Sequence, residues 1–193
     1  KYRMVTLKLY QMKKLLIATM VMCGLTMNAY AQKYMTRTGK VTFFSSTPVE
    51  NIEAFNNDVS SVVDGGSGEV LFIVPIKSFK FEKALMQEHF NENYMESDKY
   101  PKAEFKGKIL NMSDVNFRKD GTYNVKVAGR LTIHGVTKNV TIPGTVTVKG
   151  GSVTTNSKFR VKTADYGIKI PAMVSNKIAE QIEVTVNSIL NQK

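Results

Sequence analysis

The side chains best suited to acid–base or metal chemistry are few in this chain. Its 193 residues contain two histidines, His89 and His134, which are far apart in sequence and have no ligand-type spacing to other metal-binding residues. Glu88 and Glu92 are one helical turn apart, a spacing that superficially suggests an acid–base pair but is more typical of a solvated helix face. The pattern predicts no metal site, no cofactor and no catalytic residue, with both histidines in structural or rim positions.

Other motifs that carry chemistry are missing or incomplete. Gly65-Gly66-Ser67-Gly68 lacks the Lys-Ser/Thr of a phosphate loop and precedes a strand pattern instead of a helix. There is no Gly-x-Ser-x-Gly nucleophile motif. The one cysteine, Cys23, lies in a segment that we expect to be removed, so the mature chain is predicted to have neither a disulfide nor a catalytic thiol.

The N-terminal region resembles a secretory leader. Met12-Lys13-Lys14 precedes an apolar run over 15–27, and Ala29-Tyr30-Ala31 is a small-x-small cleavage site. We therefore interpret residues 1–11 as upstream read-through, 12–31 as a signal peptide and 32–193 as one domain. Cleavage after Ala31 would deliver the protein to the periplasm or the outside of the cell. No later stretch approaches the ~20 apolar residues of a membrane helix, so no stable membrane insertion is expected.

Removing the leader reduces the positive charge. The whole chain carries +11, whereas residues 32–193 carry 22 basic and 16 acidic side chains, a net charge of +6. The bases are spread along alternating strand positions and form no compact stripe, which is typical of a solvated surface. The sequence therefore predicts no nucleic-acid partner.

The rest of the chain alternates apolar and polar residues with period two, as half-buried strands do. The clearest run covers 122–134, in which Tyr123, Val125, Val127, Gly129, Leu131 and Ile133 share one face. Similar runs cover 39–47, 69–76, 102–110, 137–149, 152–162 and 180–190, with a weaker one at 51–63. Glycine-containing turns separate several of these eight runs, which indicates antiparallel hairpins.

Two segments interrupt the strands. Residues 81–95 have helix formers at helical spacing and end before Pro101, so they predict one short helix. Residues 164–177 predict an irregular loop across one mouth of the sheet. An eight-stranded antiparallel barrel is favoured over a sandwich because closure removes exposed sheet edges. Gly107 and Gly129 could leave room inside such a barrel or could relieve backbone strain in a packed core, and the composition leaves both readings open.

Two motifs resemble those of the YceI-like family. One runs from His89-Phe90-Asn91-Glu92-Asn93-Tyr94 to Lys99-Tyr100-Pro101-Lys102-Ala103-Glu104-Phe105, and the other is Gly129-Arg130-Leu131-Thr132-Ile133-His134-Gly135-Val136-Thr137-Lys138. The resemblance covers about residues 33–191. The chain departs from the family pattern at two places. In the first strand, where family members carry an Asp followed by His-Ser, the sequence has the segment Thr38–Ser46 without a histidine. Before the helix histidine, Met86-Gln87 replaces the usual Arg-Asp. These are polar positions, so the head-group end of a ligand is expected to differ.

The resemblance implies an all-β, lipocalin-like barrel with a long apolar cavity for a polyisoprenoid or other long-chain lipid. Burial of each methylene contributes ~0.8 kcal/mol, so such a chain can be retained by burial alone. The residues expected on the cavity wall are Phe43, Phe72, Phe105, Tyr123, Val125, Val127, Gly129, Leu131, Phe159, Val161 and Val184. Those expected at the mouth, near a head group, are Leu85, His89, Phe90 and Tyr166.

The leading hypothesis is a non-catalytic lipid carrier. Two alternatives remain at this point: a structural or interaction barrel with a solid core and, less favoured, an enzyme that acts on a lipid. The oligomeric state is left open, a dimer included.

Overall fold

The computed structural model describes residues 32–193, and these residues are mostly β-strand. The strands are β1 (Lys33–Ser46), β2 (Asn51–Asp64), β3 (Glu69–Pro75), β4 (Lys80–Phe81), β5 (Lys102–Ile109), β6 (Gly121–Ile133), β7 (Val136–Lys149), β8 (Ser152–Lys162) and β9 (Gln181–Gln192). One short α-helix, α1 (Ala84–His89), continues into a π-helical turn over Phe90–Tyr94. The leader predicted for residues 12–31 and the segment 1–11 lie outside the described residues, so the predicted domain division stays a prediction.

The eight long strands close into an antiparallel barrel. Their order is β1-β9-β8-β7-β6-β5-β3-β2, and β2 pairs with β1 to complete the ring. The two-residue strand β4 adds to the start of β2. The predicted eight-stranded barrel with one short helix is thereby confirmed. Strand β1 begins at Lys33, earlier than the predicted run at 39, and a register shift at Gly39 explains why its alternation was hidden.

Two tight hairpins show how local sequence sets the strand connections. His134 and Gly135, between β6 and β7, have φ angles of 51° and 75°. Gly150 and Gly151, between β7 and β8, have φ angles of 56° and 81°. Two successive left-handed residues form the turn whose twist matches that of the flanking strands. The second turn uses glycine alone, whereas the first holds a histidine in a conformation that is unfavourable for a side chain.

The facing glycines Gly107 and Gly129 mark a close approach of β5 and β6. A Cβ atom on Gly129 would overlap the Lys106 carbonyl oxygen and lie 2.5 Å from the Gly107 Cα atom. A Cβ atom on Gly107 would lie 2.8 Å from the Ala128 carbonyl oxygen. Of the two readings open at the sequence level, the structure supports relief of backbone crowding.

One end of the barrel is closed by packed side chains. Phe117, in the connection between β5 and β6, stacks on Tyr34 with ring centroids 5.8 Å apart. The Tyr34 hydroxyl donates a hydrogen bond to the Phe117 carbonyl oxygen over 3.3 Å. Burial raises the pKa of the Tyr34 hydroxyl. The opposite end carries α1, the π-helical turn and the segment 163–180, and we call it the mouth.

Within residues 32–193, no helix has the length and apolar character needed to cross a bilayer.

Candidate functional site

A cavity of ≈480 Å³ occupies the barrel interior and extends to the mouth. Its volume is within the range of small-molecule sites, about 300–1,000 Å³. All eight long strands contribute inward side chains to its wall, and most of these are valine, isoleucine, leucine or phenylalanine. The interior is therefore hollow, which argues against the alternative of a solid-core barrel.

Most of the residues expected on the wall lie there. They are Phe43, Phe72, Phe105, Val125, Val127, Leu131, Phe159, Val161 and Val184. His89 and Phe90, expected at the mouth, also line the cavity. Period-two alternation indicates inward side chains because the inner face of a closed barrel is the face that avoids water. Their contact with a ligand stays a prediction.

Two of the expected wall residues lie elsewhere. Tyr123 is near the closed end, where its ring packs on the apolar core and its hydroxyl donates to the Lys119 carbonyl oxygen over 3.0 Å. Gly129 has the correct parity, but its backbone is pressed against β5 and it has no side chain to present. The alternation of side chains predicts which face of the sheet a residue lies on, but it does not predict the position of the residue along the barrel axis.

Two of the expected mouth residues lie on elements at the mouth but do not line the cavity. Leu85 is 61% exposed, because α1 and the π-helical turn after it direct Met86, His89 and Phe90 toward the cavity instead. This set has i, i+3, i+4 spacing and contains the predicted His89 and Phe90, with Met86 in place of Leu85. Tyr166 is 4% exposed and packs in the wall with Leu131 and Val161, where burial raises its pKa.

Four phenylalanines form a cluster beside the mouth. Phe43, Phe79, Phe81 and Phe90 pack with ring-centroid distances from 5.0 Å, between Phe81 and Phe90, to 5.5 Å. Such aromatic pairs contribute about 0.5–1.5 kcal/mol beyond their burial. Phe79 and Phe81 were not expected in the site, although the apolar-polar-apolar order of 79–81 is a strand signal that could have identified them. The cluster forms an apolar part of the cavity wall next to the mouth.

The segment 163–180 supplies a second group of wall residues that the sequence did not single out. Ile168, Ile170, Val174 and Ile178 all face the cavity. The segment is tied to β1 where the Ala179 amide donates to the buried Ser45 hydroxyl over 2.9 Å. The four branched apolar side chains of this loop were the available signal, since such residues are rarely left in water.

Some of the polar residues that line the cavity belong to the elements at its mouth. Glu50, His89 and Lys177 lie there. The Glu50 Oε1 atom is 3.4 Å from Lys83 Nζ, and His89 Nδ1 is 2.9 Å from Asn93 Nδ2. The site thus combines an apolar interior with a carboxylate, an imidazole and an amine at its edge, an arrangement suited to an amphipathic molecule.

The second histidine, His134, is held by contacts with three other residues. His134 Nε2 lies 2.7 Å from Glu96 Oε2, His134 Nδ1 lies 3.3 Å from the Tyr166 carbonyl oxygen, and the ring contacts Tyr100 at a centroid distance of 4.5 Å. Both ring nitrogens of His134 contact oxygen atoms of the protein, as we predicted for a histidine that forms hydrogen bonds near a turn. Among residues 32–193, no group of three or more histidine, cysteine, aspartate or glutamate side chains is arranged to hold a metal ion.

The family model described as YceI-like domain matches residues 27–189, so the chain belongs to the YceI-like domain family. The expected resemblance is confirmed. No curated protein matches the sequence significantly.

Solved structures share the fold at low sequence identity. A polyisoprenoid binding domain from Saccharophagus degradans, implicated in plant cell wall breakdown, superposes with a TM-score of 0.74 at 15% identity, covering 84% of this chain and 99% of that one. BcnA of Burkholderia cenocepacia gives 0.65 at 18% identity, with 79% and 95% covered. The Campylobacter jejuni YCEI protein gives 0.57 at 18% identity, with 77% and 89% covered.

Proposed function

We propose that this protein holds a long-chain lipid, of the polyisoprenoid type, in its barrel cavity. The observation that carries the proposal is the apolar cavity of ≈480 Å³ that reaches the mouth. A similar barrel, the domain from Saccharophagus degradans, is described as polyisoprenoid binding. The proposal combines that likeness with the wall chemistry of this chain.

The binding energy comes from burial of the chain. Each methylene removed from water contributes ~0.8 kcal/mol, so a few prenyl units supply enough energy for retention without a strong polar contact. The branched methyl groups of a prenyl chain match a wall of valine, isoleucine and phenylalanine. The rim residues Glu50, His89 and Lys177 would contact a polar head group but would contribute less, because exposed charges interact weakly.

The role proposed for the complex is transport or storage without chemical change. Both histidines have hydrogen-bonding partners within the protein, and His134 does not line the cavity. Secretion to the periplasm or beyond, with cleavage after Ala31, is part of the proposal. It predicts Gln32 as the N-terminal residue of the protein recovered from its secreting cell.

Extraction of the purified protein tests the proposal directly. The protein is expressed with its leader, recovered from the secreted fraction, extracted with organic solvent and analysed by mass spectrometry. A prenyl lipid in near-stoichiometric amount is expected. A lipid-free extract from protein that also fails to take up an added prenyl quinone would reject the lipid-holding role.

A turnover assay separates the carrier from an enzyme. The recovered lipid is incubated with the protein and re-analysed by mass spectrometry, and the carrier predicts an unchanged mass. Conversion that is lost in both His89→Ala and His134→Ala would favour the enzymatic alternative.

A further inference from the structure

The barrel wall contains a gap between β7 and β8. The two strands pair only from Gly144 with Ser157 to Lys149 with Ser152. Beyond that point, residues 136–143 of β7 continue to pair with β6, and residues 158–162 of β8 continue to pair with β9. The two strands therefore separate toward the mouth, and we call the opening between them the slit.

Local sequence explains where the slit begins. The amide and carbonyl of Lys126 are both directed toward the β5 side, bonding Asn111 Oδ1 and the Leu110 amide. Its partner Pro143 is therefore in a non-hydrogen-bonded pair with β6, and the Pro143 main chain faces β8. Proline has no amide hydrogen to donate to that ladder. The Pro143 carbonyl instead accepts a hydrogen bond from the Ser157 hydroxyl over 2.7 Å.

Gly144, next to Pro143, also lies where the β7–β8 ladder ends. A Cβ atom on Gly144 would lie 2.7 Å from the Asn156 carbonyl oxygen, so the strands meet here in a close backbone contact. The β7–β8 ladder therefore ends at the Pro143-Gly144 pair, where the two backbones are in close contact. This point is the narrow end of the slit.

The slit is continuous with the cavity. Ile142 and Phe159, which flank it, face the interior, whereas Pro143 and Asn156 are exposed on the outer surface. All four line the same cavity. The cavity lining thus includes residues of β7 and β8 whose side chains point to opposite faces of the sheet, as an opening between the two strands would give.

The segment that follows β8 bridges the wide end of the slit, where the buried Tyr166 side chain packs with Leu131 of β6 and Val161 of β8. Lys138 Nζ lies 3.4 Å from Asp165 Oδ1, and both side chains are about half exposed, at 43% and 51%. His134 Nδ1 contacts the Tyr166 carbonyl oxygen over 3.3 Å. Exposed ion pairs of this kind are weak, and no backbone ladder reinforces them between β7 and β8. The bridge can therefore open without unfolding a strand.

We propose that the slit is a lateral portal through which a long-chain ligand passes side-on between the cavity and the surroundings, and that the Lys138–Asp165 pair latches it. The inference rests on the proposed function. Passage through the mouth would require a chain to thread end-on past the phenylalanine cluster and residues 168–178, whereas the slit, once released from Asp165 and Tyr166, would admit the chain along its length.

The edges of the slit are poorly suited to binding another strand. Pro143 lies on one edge, and Lys158, Arg160 and Lys162 follow the other as exposed charges. Proline and charged residues are the features that protect open strand edges from pairing. The inner sides are apolar instead, with Val140 on β7 and Phe159 and Val161 on β8 packed in one cluster. This combination favours passage of a lipid chain.

Thiol labelling tests the route. The chain has one cysteine, Cys23, within the leader expected to be removed, so single cysteines can be placed at will. Thr141→Cys carries a bulky maleimide at the slit, Met173→Cys carries it at the mouth, and Thr122→Cys on the outer face of β6 is the matched control. Stopped-flow fluorescence then measures uptake and release of a dansyl-labelled prenyl alcohol.

The portal predicts at least tenfold slower uptake and release for the protein labelled at position 141, with an unchanged equilibrium affinity. Labels at positions 122 and 173 should leave both rates within about twofold. Slower exchange from the label at 173 but not from that at 141 would overturn the portal and leave lipid binding intact. Failure of the unlabelled protein to bind the probe at equilibrium would instead count against the proposed function.

The latch is tested separately with Asp165→Asn. Loss of the pair with Lys138 should raise both the uptake and the release rate several-fold. Asp98→Asn is the control, because it breaks another exposed pair, Lys77–Asp98, that does not line the cavity. Equal rates for Asp165→Asn and the unmodified protein would reject the latch.

Discussion

His134 and Glu96 are joined by a 2.7 Å contact between Nε2 and Oε2, and each has a left-handed backbone, with φ angles of 51° and 42°. Within residues 32–193 they are the two non-glycine residues with positive φ. A left-handed backbone costs roughly 1–2 kcal/mol in a residue with a side chain. The bond therefore connects two strained positions, one in the β6–β7 hairpin and one after the π-helical turn, and fixes the mouth segment to the barrel.

This relationship predicts coupling between the two residues. In urea unfolding of His134→Ala, Glu96→Ala and the double variant, the coupling free energy should be about 0.5–1.5 kcal/mol, the range for one hydrogen bond. His134→Gly should be more stable than His134→Ala, because glycine removes the backbone strain at the turn. Strictly additive effects of the two alanine substitutions would contradict a direct bond.

Filling the cavity should remove binding without unfolding the barrel. Val127 lines the cavity, so Val127→Trp has space to occupy and should abolish uptake of a hydrophobic fluorescent probe while the melting temperature changes little. Gly129→Ala is the contrasting variant on the same strand face. Its Cβ atom would collide with the backbone of β5, so it should lower stability by about 1–3 kcal/mol. Loss of stability in Val127→Trp of similar size would indicate a packed interior.

The phenylalanine cluster should contribute measurably to stability. Phe90 packs against Phe43, Phe79 and Phe81, so Phe90→Ala should destabilise the protein by about 2–4 kcal/mol in thermal or urea unfolding. Phe55 is 44% exposed on the outer surface of β2, and Phe55→Ala should cost less than about 1 kcal/mol. Equal effects of the two substitutions would show that the cluster is not packed as described.

Acid should weaken the turn between β2 and β3. The Ser67 amide donates to Asp64 Oδ1 over 2.9 Å and holds the pKa of this carboxyl below its usual range, with a smaller contribution from the Gly66 amide. Because the folded-state pKa is lowered, the stabilisation is complete above the unfolded-state value of about 3.9 and is lost as the pH falls through the folded-state value. The carboxyl is largely solvated, so the effect should be at most about 1 kcal/mol.

The variants Asp64→Asn and Asp64→Ala divide this effect into its parts. Asparagine keeps an oxygen acceptor for both amides, so Asp64→Asn should retain most of the stability at pH 7 and lose the acid dependence. Asp64→Ala should lose both. Urea unfolding at pH 7 and near pH 3 provides the comparison, and an unchanged pH dependence in Asp64→Asn would assign the acid response to another group.

Local sequence determined the strands and their connections. Period-two alternation specified the eight strands and the inward side chains at positions such as Phe105 and Val184, because each strand has one face in water and one face away from it. Glycine at 150–151 specified a tight hairpin for a similarly local reason. The avoidance of exposed sheet edges favoured barrel closure, and the family resemblance then supplied the hollow interior that composition alone left open.

Tertiary structure decided the features that depend on contacts distant in sequence. The face of α1 that lines the cavity depends on how the helix packs at the mouth, and Met86 lines the cavity where Leu85 was expected. The crowding at Gly129 arises from β5, and the inward burial of Tyr166 arises from β6 and β8. Pro143 was visible in the sequence, but the direction of its main chain depends on the register with β6. Register is a property of paired strands, and for that reason the slit is present in the fold and not in the sequence pattern.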